Sequence, residues 1–293
     1  MATDVVLAVD IGGTKLAAGR VDGDGTVLDR ATVPTAGADA EALWAALADL
    51  VGSVRRGDEV ACGVGCGGPM APGGTAVSPL NIHQWRDFPL RDRLAALVGT
   101  SGVPVAVDND AKALALGEGW RGAARGVRDF VAMVVSTGVG GGIVLDGRLL
   151  DGAAGNAGHI GHVIVEPGPD GRVCGCGARG CLEAEASGTA IAAVTGAPPA
   201  AAPPEVRART GRLVGRAVAS VANLLDLRLA VVAGSVALGY GDAFFTAAQA
   251  ELDARARLSF SAGARIVPAG LGADGPLVGA AAVAWRALGR LPA

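Results

Sequence analysis

Three cysteines and a histidine fall within one short stretch of the chain: His162, Cys174, Cys176 and Cys181. Thiolates and an imidazole are the ligands of tetrahedral zinc, and four of them leave no open coordination position. Such a site is structural, and it would pin a segment too rich in glycine to hold itself. The chain has five cysteines, an odd number, and its first residues show no basic region and cleavage site. A secretory signal and a disulfide framework are therefore not expected. Cys62 and Cys66 lie on or just after an apolar strand and read as small packing residues.

Two Gly-rich turns follow apolar strands. Asp10-Ile11-Gly12-Gly13-Thr14-Lys15 comes after Val5–Val9. Its glycines let backbone N–H groups approach an anion closely, Thr14 adds a hydroxyl donor, and Lys15 adds charge. Asp10, at the strand end, is placed to hold a magnesium ion through water. One such turn alone is an ordinary hairpin. The second, Ser136-Thr137-Gly138-Val139-Gly140-Gly141-Gly142 after Phe130–Val135, changes the weight. Two such loops facing one cleft would grip the phosphates of a nucleotide from both sides. Gly234-Ser235, after Leu229–Val232, offers a third backbone contact near the adenosine. The spacings Gly63-x-Gly65-x-x-Gly68 and Gly175-x-Gly177-x-x-Gly180 imitate a dinucleotide fingerprint but lack its strand–turn–helix context. No Walker A sequence occurs.

Asn109-Asp110 follows the strand Val103–Val107 and opens a helix. Asp110 reads either as a helix N-cap or as a general base at a strand's C-terminal end, where clefts in α/β folds form. His159 and His162 lie three residues apart. Glu183, two residues past Cys181, would be swung by the metal loop toward the same place; its bland reading is a solvated first-turn charge.

These residues need a frame to hold them. At about 150 residues per domain, 293 residues suggest two domains. Strands are expected at Val5–Asp10, Leu16–Val21 and Val27–Thr32, joined by turn residues. Leu43, Trp44, Leu47, Leu50, Val51 and Val54 then line one face of a helix over 40–54, with Asp39 as N-cap. Strand Glu59–Gly65, helix Pro89–Val98, strand Val103–Val107 and helix Asp110–Gly119 follow. At Phe130 the opening pattern returns: a strand, a Gly-rich turn, and a second strand at Ile143–Leu145. That echo of the N-terminus suggests a duplicated architecture with a cleft between lobes. Ala197–Pro204 reads as an exposed low-complexity connection. Helical patterns over 206–225 and 239–256 flank the strand Leu229–Val232, and a last helix spans 276–288.

Composition narrows the partners. Hydrophobic residues make up 51% and charged residues 18%, which excludes a disordered chain. Apolar runs are broken well short of the roughly 18 residues a membrane span needs. A net charge of −3, with four Trp, one Tyr and five Phe, argues against a nucleic-acid surface. The reading is a cytoplasmic protein.

Taken together, the segments resemble the ROK family (repressors, open reading frames, kinases) of the actin-like ATPase superfamily over essentially the full chain. The matching stretches are Asp10–Lys15, Asn109-Asp110-Ala111, Ser136–Gly142, Gly158-His159-Ile160-Gly161-His162, and Cys174-Gly-Cys-Gly-Ala-Arg-Gly-Cys181-Leu-Glu183. The resemblance implies an α/β, duplicated actin-like (ribonuclease H-like) fold with a small lobe over residues 1–112 and a large lobe over 113–275 that carries the metal loop. The C-terminal segment 276–293 would pack back on the small lobe. It also implies an ATP- and Mg2+-dependent kinase acting on the 6-hydroxyl of a hexose or N-acylhexosamine, a structural Zn2+, and a homo-oligomer, dimer or tetramer.

Carried over by position, Asp110 looks like the base that takes the proton of the sugar's 6-hydroxyl, and Asn109 would hold neighbouring hydroxyls. His162 would serve zinc through one ring nitrogen and the sugar through the other. Glu183 would hold hydroxyls near the anomeric end. Gly68 and Asn81 look like further sugar-side positions. Asp10, Gly12, Gly13, Thr14, Lys15, Thr137, Gly138 and Gly234 would bind the nucleotide. Glucokinases of the family carry Glu where this chain has His159. The form Ala-Gly-His-Ile-Gly-His, with Leu80-Asn81-Ile82-His83 upstream, is closer to bacterial N-acetylmannosamine kinases. The family's repressors place a helix-turn-helix domain ahead of the kinase-like part, but Asp10 arrives ten residues from the start. A sugar-sensing regulator or a non-catalytic sugar-binding protein is the alternative, and the retained Asp110 and Gly turns weigh against it.

Overall fold

An unbroken apolar run, Val5–Val9, and two mixed stretches lie between turn signals at the N-terminus, and there the chain forms strands. In the computed structural model, which describes residues 4–99 and 102–291, β1 (Val5–Ile11), β2 (Lys15–Asp22) and β3 (Val27–Pro34) make an antiparallel meander. Strands β4 (Cys62–Cys66) and β5 (Val105–Asn109) add in parallel beyond β1, giving the order β3-β2-β1-β4-β5. Helix α1 (Ala40–Val54) covers β2 and β3 with the face formed by Leu43, Leu47, Leu50, Val51 and Val54. Asp39 caps it, accepting a hydrogen bond from Ala42 N at 2.9 Å. Helix α2 (Leu90–Val98) buries Leu90, Leu94 and Val98 in the same core. On the opposite sheet face, α9 (Gly275–Ala287) packs on β1 and β4, and α3 (Asp110–Arg121) packs on α9. The approach of α9 is close enough that a side chain at Gly63 would overlap the Ala280 carbonyl. These elements form one compact unit, Met1–Gly126, Gly147–Ala157 and Gly270–Ala293, whose middle segment carries the two-residue β8 (Arg148–Leu149). Residues 1–3, 100, 101, 292 and 293, which fall in the expected small lobe and C-terminal segment, lie outside the described residues.

The second unit, Val127–Asp146 and Gly158–Ala269, has its own sheet and core. Its strands β6 (Phe130–Val135), β7 (Val139–Leu145), β9 (Leu229–Ala233) and β10 (Arg265–Pro268) run in the order β10-β9-β6-β7. Helices α4 (Leu182–Ala186), α5 (Gly188–Thr195), α6 (Pro204–Leu225), α7 (Ser235–Tyr240) and α8 (Asp242–Arg255) complete it. The duplication is visible in the pairing. β1 is antiparallel to β2 and parallel to β4; β6 is antiparallel to β7 and parallel to β9. The fold is α/β and actin-like, as expected.

Three local readings differ from the structure. Strand β7 starts at Val139, so Gly140–Gly142 are strand and only Ser136–Gly138 is turn. Glycine is required in the strand at Gly141, where a Cβ would lie 2.8 Å from Ile160 Cγ2. The helical pattern over 239–256 is two helices, broken at Gly241, whose φ of 54° only glycine adopts without strain. Strand β10 and helix α5 are too short to show a period in the sequence.

Candidate active site

The first unit gathers its chemistry at the C-terminal ends of β1, β4 and β5. Strand β5 delivers Asn109, whose side chain accepts from Ala111 N at 3.0 Å and so caps α3. The cap is thus Asn109, and Asp110 is the first residue of the helix proper. Its Oδ1 also accepts from Ala111 N, at 2.9 Å. Asp110 is open to solvent, yet the protein gathered around it disfavours the ion and raises its carboxyl above the ordinary range, against the pull of the Ala111 N–H. Gly65 stands between Asp110 and Asp10: a Cβ there would lie 3.6 Å from Asp110 Cα and 3.7 Å from Asp10 Oδ1. Asp10 is half-buried, and its pKa is pushed up to about 7 by burial first and the Asp110 charge second, with Lys15 opposing. Two neighbouring carboxylates with one exposed lysine as counter-charge are a donor set suited to a divalent cation.

The turn after β1 is tied at both ends. Gly12 N donates to Lys15 O at 3.0 Å, Thr35 Oγ1 donates to Gly12 O at 2.6 Å, and Thr35 N donates to Thr14 O at 2.9 Å. Gly13, Thr14 and Lys15 remain exposed. Gly13 is held against Asn81, whose Cβ lies 2.7 Å from where a Cβ on Gly13 would sit. Gly68 O accepts from Leu80 N at 3.2 Å, which sets Gly68 beside the same stretch. The first unit therefore brings together Asp10, Gly12, Gly13, Thr14, Lys15, Gly68, Asn81, Asn109 and Asp110.

In the second unit, the turn Ser136–Gly138 is fixed by Gly188 and Thr189, which the sequence does not single out, and by Ser235, which it does. Ser136 O accepts from Gly188 N at 2.7 Å, and Thr137 O accepts from Thr189 N at 3.2 Å and Thr189 Oγ1 at 3.0 Å. Ser136 and Ser235 share a hydroxyl hydrogen bond of 2.9 Å. Gly234, with φ 101°, lies so close to β6 that a side chain would overlap the Val135 carbonyl. Thr137, Gly138 and Gly234 are thus neighbours. No spacing rule links Thr189 or Ser235 to that turn, because both contacts are tertiary.

Glu183 sits in the first turn of α4, and its Oε2 accepts from Val139 N at 2.9 Å. It is an anchored carboxylate rather than a solvated charge. His162 Nδ1 lies 3.7 Å from Cys174 Sγ, Cys176 Sγ lies 3.7 Å from Cys181 Sγ, and the four ligand atoms fall within 4.8 Å of one another. Bonds of about 2.3 Å to sulfur and about 2.0 Å to nitrogen at tetrahedral angles give ligand edges of roughly 3.5–3.8 Å, which the two 3.7 Å separations match, so these four side chains could hold a metal ion. The ring of His159, which is exposed, stands 6.1 Å from that of His162. Glu185, buried on α4, braces the loop: it accepts from Arg172 N at 2.7 Å and from Arg209 Nη2 at 2.8 Å. Burial works against its ionisation, but these partners hold its carboxyl below the usual range. Among the described residues no helix is long and apolar enough to cross a membrane.

A model of the ROK family matches residues 6–287. The chain is 41% identical over 251 residues to an N-acetylmannosamine kinase of Citrobacter koseri, covering 80% of this chain and 84% of that protein. Over 253 residues it is 39% identical to the N-acetylmannosamine kinase of Escherichia fergusonii, with the same coverage. Among solved structures, the ROK family glucokinase from Streptomyces griseus in complex with glucose and AMPPNP superposes with a TM-score of 0.83 at 32% identity, covering 96% of this chain and 99% of that one.

Proposed function

The chain belongs to the ROK family, and we propose that it is an ATP-dependent kinase for the 6-hydroxyl of N-acetylmannosamine, with Asp110 as general base. That it is a sugar kinase follows from relatives of 41% and 39% identity and from the glucokinase fold match. The observation that carries the mechanism is the junction of β5 and α3. Asn109 takes over the cap, so Asp110 is presented with a raised carboxyl beside Asp10.

In the reaction, the sugar's 6-oxygen attacks the γ-phosphorus of ATP, the bond to the β-phosphate oxygen breaks, and ADP leaves. Asp110 accepts the hydroxyl proton. Phosphoryl transfer asks the protein chiefly for positioning and charge stabilisation. The backbone of Gly12, Gly13 and Thr14, with Lys15, would bind phosphate, as would that of Thr137 and Gly138, with Gly234 contacting the nucleotide near the adenosine. Magnesium, held by Asp10 through water, would neutralise phosphate charge. Asn109, Gly68, Asn81, His159, His162 and Glu183 would hold the sugar.

The preference for an acetamido sugar rests on His159. An ionised carboxylate only accepts hydrogen bonds, whereas a neutral imidazole offers one donor and one acceptor. A histidine can therefore donate to an acetamido carbonyl. Glucose is the second reading, favoured by the match to the S. griseus glucokinase. ADP release measured with each sugar separates them: a higher kcat/KM on glucose would overturn the first.

The metal is read as structural zinc, because three sulfurs and one imidazole nitrogen are the ligands that zinc prefers. Zinc would hold the loop that carries Glu183. Reduced thiols suit a cytoplasmic enzyme. A homo-oligomer, carried from the family resemblance, is tested by sedimentation of the purified protein.

A further inference from the structure

Lys112 breaks a local rule. It stands in the first turn of α3, where the helix end is already partly positive and an ammonium is disfavoured. Its side chain is only 3% exposed, and a buried charge is costly unless it is paired. The pairing is complete. Nζ lies 3.1 Å from Asp108 Oδ1 and 2.7 Å from Asp151 Oδ1, and it donates to Gly155 O at 3.3 Å. Two N–H groups donate hydrogen bonds, to Asp151 and Gly155, and the Asp108 carboxylate adds an ion pair. Arg286 on α9 closes the ring, with Nη2 2.7 Å from Asp151 Oδ2 and Nη1 3.4 Å from Asp108 Oδ2.

Two connections lead from this ring to the site. Asp108 and Lys112 bracket Asn109-Asp110 in sequence, and Asp108 Oδ1 also accepts from Asn109 N at 2.8 Å. Asp151 and Gly155 belong to the segment Gly147–Ala157, which runs on in sequence into Gly158-His159. Asn156 of that segment donates to Met70 O at 3.5 Å, two residues past Gly68. A neutral residue of similar volume would fill the position without the cost of burying charge. What the lysine adds is a fixed tether between two pieces of chain more than 35 residues apart.

We propose that Lys112 is a positioning residue for the kinase reaction, holding the Asn109-Asp110 turn and the 151–157 segment in one register through Asp108, Asp151 and Gly155. It touches no reacting atom. The inference rests on the sugar-kinase reading, with Asp110 as base and His159 at the sugar.

The test is steady-state kinetics of the full chain, varying sugar and ATP separately, for wild type, Lys112→Met, Asp151→Asn and the double variant, with thermal unfolding alongside. Losing one charge-assisted hydrogen bond on the positioning path should raise the sugar KM about tenfold. The ATP KM should stay within about twofold, since both sites act through the same sugar-side segment. The double variant should cost less than the two single losses combined, because the two residues share one contact. Asp151 is about half exposed, its side chain being 48% accessible, so Asp151→Asn decides the matter if Lys112→Met fails to fold. An active wild type whose variants keep the sugar KM, or raise both KM values together in step with lost stability, overturns the inference alone. A wild type inactive on every sugar overturns the functional reading, and the inference with it.

Discussion

Asp10→Asn is expected to stabilise the ligand-free protein at neutral pH while lowering turnover. The Asp10 carboxyl is lifted from 3.8 to about 7 by burial and by the Asp110 charge, with Lys15 opposing. A carboxyl raised in this way binds its proton more tightly in the folded chain than in the unfolded one. Its stabilising share is complete below 3.8 and is lost as pH rises from there to about 7. Each pKa unit corresponds to about 1.36 kcal/mol, so a shift of roughly three units sets an upper bound of about 4 kcal/mol. An amide cannot ionise and escapes this loss. The stability excess of Asp10→Asn over wild type should therefore be near zero at pH 4 and grow toward that bound by pH 7. At roughly 2–4 °C per kcal/mol, the melting midpoint at pH 7 should rise by up to about 8–16 °C. Thermal unfolding in chelator between pH 4 and 8 measures the gap, and Mg2+ with ATP should narrow it by giving wild-type Asp10 a counter-charge. A gap that is flat with pH, or that favours wild type at pH 7, would refute the reasoning.

Asp110→Asn should keep the fold and ATP binding but lower kcat by about 10²–10⁴, as single-turnover and ATP-titration measurements would show. Because Asp110 is raised above the ordinary carboxylate range, the acid limb of kcat/KM should lie above it too, with activity falling as pH drops and the base is protonated. Protein purified without added zinc should contain one zinc per chain by metal analysis. Removing it, or Cys176→Ser, should lower both the unfolding midpoint and sugar affinity, since His162 and Glu183 bracket the metal loop in sequence. His159→Glu should shift kcat/KM from N-acetylmannosamine toward glucose by restoring an acceptor-only side chain.

Local signals in the sequence carried much of this structure. The apolar stripe from Leu43 to Val54 and the Asp39 cap mark α1 residue for residue. The paired Gly-rich turns announce the duplication that the strand pairing repeats. The His/Cys cluster is readable because its four side chains are close in sequence. What stayed hidden is tertiary. Glycines 140–142 look like a loop until Ile160 is placed against Gly141. Asp110 reads as the cap until the side chains are oriented and Asn109 is found to take that place. Glu183 gains its backbone donor from Val139, 44 residues away. Nothing in the sequence singles out Lys112, because its partner Asp151 lies 39 residues on and Arg286 is much farther still.

The most direct test of the account is coupled ADP release by the purified enzyme with ATP and Mg2+ across a panel of hexoses and N-acylhexosamines, with the position of the new phosphate read by NMR. Turnover on N-acetylmannosamine is expected, with phosphate at the 6-oxygen and near-complete loss of activity in Asp110→Asn. No sugar-dependent ADP release, or undiminished release from Asp110→Asn, would contradict that expectation.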